Sequence, residues 1–145
     1  MMYMYGNSSS VSVRRIRFMG RMFVDLHVAK SLEGPWETLT VQVDTGADDS
    51  IIPRRILKGL GIPVVSRDRF ELADGRRIVR DVGIVFMKLG GEVGATRIMF
   101  GAPRDAPVLG NIALEELSLE VDPKSGYVRK ARRLLVSARR PAVAA

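Results

Sequence analysis

The sequence predicts an all-β fold, on three observations. Alternating apolar and polar runs recur, turn residues separate them at short intervals, and helical periodicity appears only in scraps. The first clear run has Met22, Val24, Leu26 and Val28 alternating with Phe23, Asp25 and His27. That period of two gives a strand one apolar face. Ser31-Leu32-Glu33-Gly34-Pro35 then supplies turn chemistry. A second run sets Leu39, Val41 and Val43 against Thr38, Thr40 and Gln42, and it ends at Asp44-Thr45-Gly46. Together the two runs predict a hairpin.

Residues 53–60 predict a short helix, with Pro53 tolerated in its first turn and Gly61 placed to stop it. Residues 70–89 predict a second hairpin turning at Asp74-Gly75, a pair suited to a type I′ turn with both residues at positive φ. Residues 82–89 are apolar on both faces, as in a buried central strand. Gly90-Gly91 and Gly94 separate that strand from another at 96–100. Val108-Leu109-Gly110 leads into a short helix at 111–117, and Pro123-Lys124-Ser125-Gly126 turns a third hairpin. Neither a repeat nor a linker is visible. The expected organisation is a loose tail at 1–15, one domain at 16–130 and a basic tail at 131–145.

Composition removes several chemistries. A chain of 145 residues is one domain's worth. With no cysteine, disulfides, thiolate metal sites and a cysteine nucleophile are excluded. The single histidine, His27, leaves no His-rich metal site, so no metal or cofactor is expected; its place opposite Leu26 suits an exposed strand face. No apolar run approaches the roughly 20 residues that span a bilayer, and the first ten residues lack a signal-peptide pattern. No membrane role and a cytoplasmic setting are therefore the expectation. Of the net charge of +7, six positive charges come from Arg129, Lys130, Arg132, Arg133, Arg139 and Arg140, leaving +1 for the rest. Weak polyanion binding through that tail is an expectation; a solvated end is the blander alternative.

The segment that carries chemistry is Val43-Asp44-Thr45-Gly46-Ala47-Asp48-Asp49-Ser50. Asp44 sits at the mouth of a turn on a rigid strand, Thr45 can hold the loop through its hydroxyl, and Gly46 permits close backbone approach. The tripeptide alone also fits an ordinary Asp-initiated turn.

Its surroundings add to it. The segment resembles the active-site loop of retroviral proteases and their cellular relatives: a hydrophobic residue, Asp-Thr-Gly-Ala, polar residues and an apolar pair, here Ile51-Ile52. Val108-Leu109-Gly110 and the helix after it resemble that family's downstream element, and the Asp74-Gly75 hairpin stands where the family has a flap. The resemblance runs in order over about residues 20–128. It implies a closed retropepsin-like acid-protease barrel with a flap hairpin and one or two short helices. Two departures stand out. Asn111 occupies the place where the family commonly has an arginine paired to an acid of the loop, and the flap tip has one glycine, followed by Arg76-Arg77.

The family's reaction needs two carboxylates sharing a proton, one as general base on water and one as general acid. Asp81-Val82-Gly83 is the only look-alike for a second motif; it lacks the hydroxyl and lies 37 residues after Asp44, too near for a second lobe. The resemblance therefore implies a homodimer with Asp44 contributed from each side, acting as an endopeptidase on peptide or protein substrates. It implies catalytic roles for Asp44, Thr45 and Gly46. Substrate contacts fall to Ala47, Asp48 and Asp49, and to Asp74, Gly75 and Arg76 of the flap. Two other classes stay open: a catalytically silent dimerisation or peptide-binding module, and a small basic nucleic-acid-binding β-barrel. Intact Asp44 and Thr45 argue against the first. The tail's lack of aromatics for base stacking argues against the second.

Overall fold

The period-two runs become strands, and their inward faces form the core. The structure is a computed structural model that describes residues 2–3, 14–18, 20–133 and 142. Along the chain come β1 (Met2–Tyr3), β2 (Arg14–Phe18), β3 (Arg21–Ala29), β4 (Trp36–Val43) and β5 (Ile51–Pro53), then α1 (Arg54–Gly59). Next are β6 (Ser66–Glu71), β7 (Arg77–Leu89), β8 (Glu92–Gly101) and β9 (Val108–Leu109), then α2 (Asn111–Glu116). The last strands are β10 (Leu119–Val121) and β11 (Val128–Lys130). Leu134, Leu135 and Val136, the apolar triplet inside the basic run, lie outside the described residues.

Nine strands make one sheet in the order β1-β2-β3-β4-β9-β5-β8-β7-β6, and β10 and β11 form a separate pair. A further antiparallel pairing joins β3 to β7, with Val28 opposite Met87. It completes a ring of pairings through β3, β4, β9, β5, β8 and β7. Inside lie Val24, Leu26, Val28, Val41, Ile52, Val85, Met87, Ile98, Phe100 and Leu109, all buried, with Leu57 of α1 and Leu114 of α2. Each large side chain so buried contributes about 1.5–3 kcal/mol.

The local expectations hold for most elements. Met22, Val24, Leu26 and Val28 are buried, while His27 is exposed with its ring Nδ1 2.7 Å from Thr38 Oγ1. Trp36, which opens β4, carries the Lys88 ammonium 4.0 Å above its ring. Helix α1 starts after Pro53 and stops at Gly61, whose φ is +75°.

Three expectations change. The type I′ turn lies at Gly90-Gly91, where Leu89 pairs with Glu92 and both glycines have positive φ. At the Asp74-Gly75 hairpin only Gly75 is at positive φ (+85°). There Gly75 N–H donates to Leu72 O (2.9 Å) and Leu72 N–H to Arg76 O (2.7 Å), a three-residue loop. β7 is two-sided only in part: Val82, Val85, Met87 and Leu89 are buried, yet Ile84, on the face of Val82, is 52% exposed. Gly94 lies within β8, where a Cβ would stand 2.9 Å from the Glu116 carbonyl oxygen at the end of α2. The missing side chain lets the helix seat against the strand.

Candidate active site

The loop from Asp44 to Ser50 is held by backbone groups from the far end of the chain. Asp44 N–H donates to Leu109 O (3.0 Å), which fixes the end of β4 against β9. Beyond Leu109 the chain turns into α2 beneath the loop: Asn111 N–H donates to Ala47 O (2.9 Å) and Ile112 N–H to Asp48 O (3.1 Å). The first amides of a helix lack partners within it, so loop carbonyls take their place.

Within this frame Asp44 is half-buried, while Thr45 and Gly46 are exposed. Gly46 N–H donates to Asp44 Oδ1 (2.9 Å), which orients the carboxylate. Asn111 departs from the arginine of the resembled family and has a different task here. Its Nδ2 donates to Thr45 O (2.6 Å), so it steadies the backbone of the motif.

Ser50 and Gly110 stand in the two sequence motifs, where neither had been given a role of its own. Ser50 is 1% exposed, and its Oγ accepts the Gly110 N–H (3.0 Å). Gly110 packs so closely that a Cβ would lie 2.6 Å from Asp49 O and 2.8 Å from Asp48 O. A hydroxyl before the apolar pair and a glycine before the helix were the available signals; their meeting across 60 residues was not visible.

Asp48 and Asp49 open onto a hollow of about 530 Å³, also lined by Asp68, Arg69, Phe70, Arg97, Ile112 and Glu115. The hairpin reaches it through β6, whereas Asp74, Gly75 and Arg76 are not among its lining residues. At the tip Arg76 Nε is 2.7 Å from Asp74 Oδ2, and the Arg76 amide and guanidinium hold the Asp74 carboxyl below the usual range. Arg97, on β8, is ion-paired to Asp68 and had no local signal in the sequence.

Burial pushes the Asp49 carboxyl above the usual range, Arg97 opposing it and Asp48 and Asp68 adding to it. A carboxyl whose folded pKa is raised penalises the native state once it ionises. Asp49→Asn is therefore expected to raise the melting temperature at neutral pH. The gain should disappear as pH falls below the carboxylate range, which thermal melts across that window check.

Asp81 is occupied elsewhere. It pairs with Arg54 and stands opposite Arg67 in the β6–β7 ladder. Among the described residues no cluster of His, Cys, Asp or Glu could hold a metal ion.

Comparisons with known proteins bear on the family and the fold. The aspartyl protease family model matches residues 28–124. Among solved structures the chain is similar to EIAV protease complexed with the inhibitor HBY-793. That likeness has a TM-score of 0.53 at 19% identity, covering 83% of this chain and 98% of that one. No curated protein matches. With the family model spanning two-thirds of the sequence and the fold shared with a retroviral protease, this chain belongs to the aspartyl protease family, in its retropepsin-like branch.

Proposed function

We propose that the chain is an aspartic endopeptidase whose active site forms when two copies bring their Asp44 carboxylates together. The observation that carries this is the state of Asp44 in one chain. It is oriented by the Gly46 amide and braced through Leu109, it is followed by exposed Thr45 and Gly46, and the sequence holds no second Asp-Thr-Gly to face it. A lone carboxylate cannot serve as base and acid together, whereas two share a proton and divide the roles.

One carboxylate then takes a proton from the attacking water, and its partner polarises and protonates the peptide group. Thr45 of each chain would bond across the two-fold axis. Ala47, Asp48 and Asp49 would line the cleft and hold an extended peptide by strand-like hydrogen bonds. The β6–β7 hairpin would cover it, with Asp74, Gly75 and Arg76 at the tip.

Peptide-library cleavage at graded protein concentration, with sedimentation alongside, tests this reading. Activity per chain should fall as dilution dissociates the dimer. Full activity from a chain that sediments as a monomer would sink it.

The lid has its own test. Gly75 is at positive φ, where a β-branched residue is strained by about 1–2 kcal/mol. Gly75→Val is expected to lower kcat/KM while the dimer stays folded, because a lid must open for peptide entry. Steady-state kinetics with sedimentation decides it, and unchanged kinetics would show that the hairpin is not the lid.

A further inference from the structure

β7 pairs with β8 only from Val82 onward, while β6 accompanies it from Arg77. The hairpin before Val82, with 67–71 of β6 paired to 77–81 of β7, is thus a two-stranded arm. Three ion pairs tie its base to the body: Asp68 with Arg97 of β8, Asp81 with Arg54 of α1, and Arg80 with Asp105.

The third pair has a different destination. Asp105 lies in the segment 102–107 that joins β8 to β9. That segment delivers Pro107 O to Gln42 N–H (3.1 Å) and, two residues on, Leu109 O to Asp44 N–H (3.0 Å). Arg80 grips Asp105 with two prongs, Nε to Oδ2 at 2.9 Å and Nη2 to Oδ1 at 3.4 Å. The side chains are 23% and 21% exposed, the least exposed ion pair among the described residues.

The segment does not need Arg80 for its own shape. Asp105 Oδ2 accepts Ala102 N–H (2.8 Å), and Asp105 N–H donates to Ala102 O (2.9 Å). Its ends are already fixed by Gly101 opposite Pro53 and by Pro107 against Gln42. What the guanidinium adds is the link to the arm. Arg80 first, and then the Ala102 amide, hold the Asp105 carboxyl below its ordinary range. With a depressed folded pKa the pair persists through the usual carboxylate window and is lost only as pH falls below it.

We propose that Arg80 is a positioning residue: through Asp105 it couples opening of the β6–β7 arm to the segment that seats β9 beside Asp44, so that the pair sets substrate affinity. This rests on the reading of the arm as the lid. A fork-on-carboxylate contact is directional, so it transmits orientation as well as attraction.

The test uses the full-length protein with Arg80→Met, Asp105→Asn and the double variant. Asparagine keeps an oxygen for the Ala102 amide, and Arg80→Met leaves that bond untouched. Each single change is expected to raise KM about tenfold with kcat within about twofold. The double variant should go no further, since the two residues act as a unit. Hydrogen exchange should quicken together in residues 72–79 and 102–107, with β3 unchanged. Unchanged KM in the single variants, effects that multiply in the double, or exchange that quickens in 102–107 alone would each overturn the coupling. A wild-type chain that cleaves no peptide would defeat the protease reading instead, and the exchange arm would still decide the link.

Discussion

Asp44→Asn is expected to abolish peptide cleavage, by about three orders of magnitude or more, while the chain stays folded and dimeric. Asparagine keeps the shape of the side chain and an oxygen for the Gly46 amide, so the bond that orients residue 44 survives. What disappears is the ionisable group on both sides of the proposed dyad. Thermal stability should hold or rise, because two adjacent carboxylates no longer compete for one proton. A mixed dimer with one altered chain should also be nearly inactive, since neither half owns both a base and an acid. The wild type should show a bell-shaped pH profile, reflecting a pair that works only when singly protonated. Appreciable cleavage by purified Asp44→Asn protein would refute the assignment of the chemistry to this residue.

Gly110→Ala should have the next largest effect, for a steric reason. The added methyl would stand 2.6 Å from the Asp49 carbonyl oxygen and 2.8 Å from that of Asp48. Both atoms belong to backbone that cannot swing aside as a flexible side chain could. Relief requires the loop to lift off α2, stretching the Gly110–Ser50, Asn111–Ala47 and Ile112–Asp48 hydrogen bonds. Overpacking of this kind destabilises by about 1–3 kcal/mol, or roughly 3–12 °C in melting temperature for a domain of this size. The catalytic cost should be larger, because a displacement near 1 Å at Asp44 can lower the rate about 100-fold. Ser50→Ala removes the hydroxyl and adds no bulk, so it should lower stability with a smaller loss of rate. If Gly110→Ala melts like wild type and retains full kcat/KM, the loop is not held by this contact.

Much of the site was legible because it is local. Alternation alone placed β3 and β4, and the Asp-Thr-Gly motif at the end of β4 puts a carboxylate where a strand opens into a turn. Pro53 and Gly61 bracket α1 because one is tolerated at a helix start and the other stops it. These are statements about single segments, and a segment's periodicity and turn residues are written in its own few positions.

The rest depended on which distant segments meet. Ile84 lies in a run that is apolar on both faces, yet it is exposed, while Val82 on the same face is buried and Val85, Met87 and Leu89 fill the core from the other. Asp74-Gly75 carries the stronger hairpin signal, but the two-residue turn formed at Gly90-Gly91, where Leu89 and Glu92 are cross-strand partners. Asn111 could be read as a missing arginine; only the fold shows its amide supporting the Thr45 carbonyl. By itself, then, the sequence determined β3, β4, the two short helices and the position of Asp44 at the end of a strand. The tertiary structure decided the ring closure of β3 on β7, the seat of the loop on α2 and the Arg80–Asp105 link. Register between strands far apart in sequence, and the burial that follows from it, are set by packing and hydrogen bonds summed over the whole sheet, which no local pattern encodes.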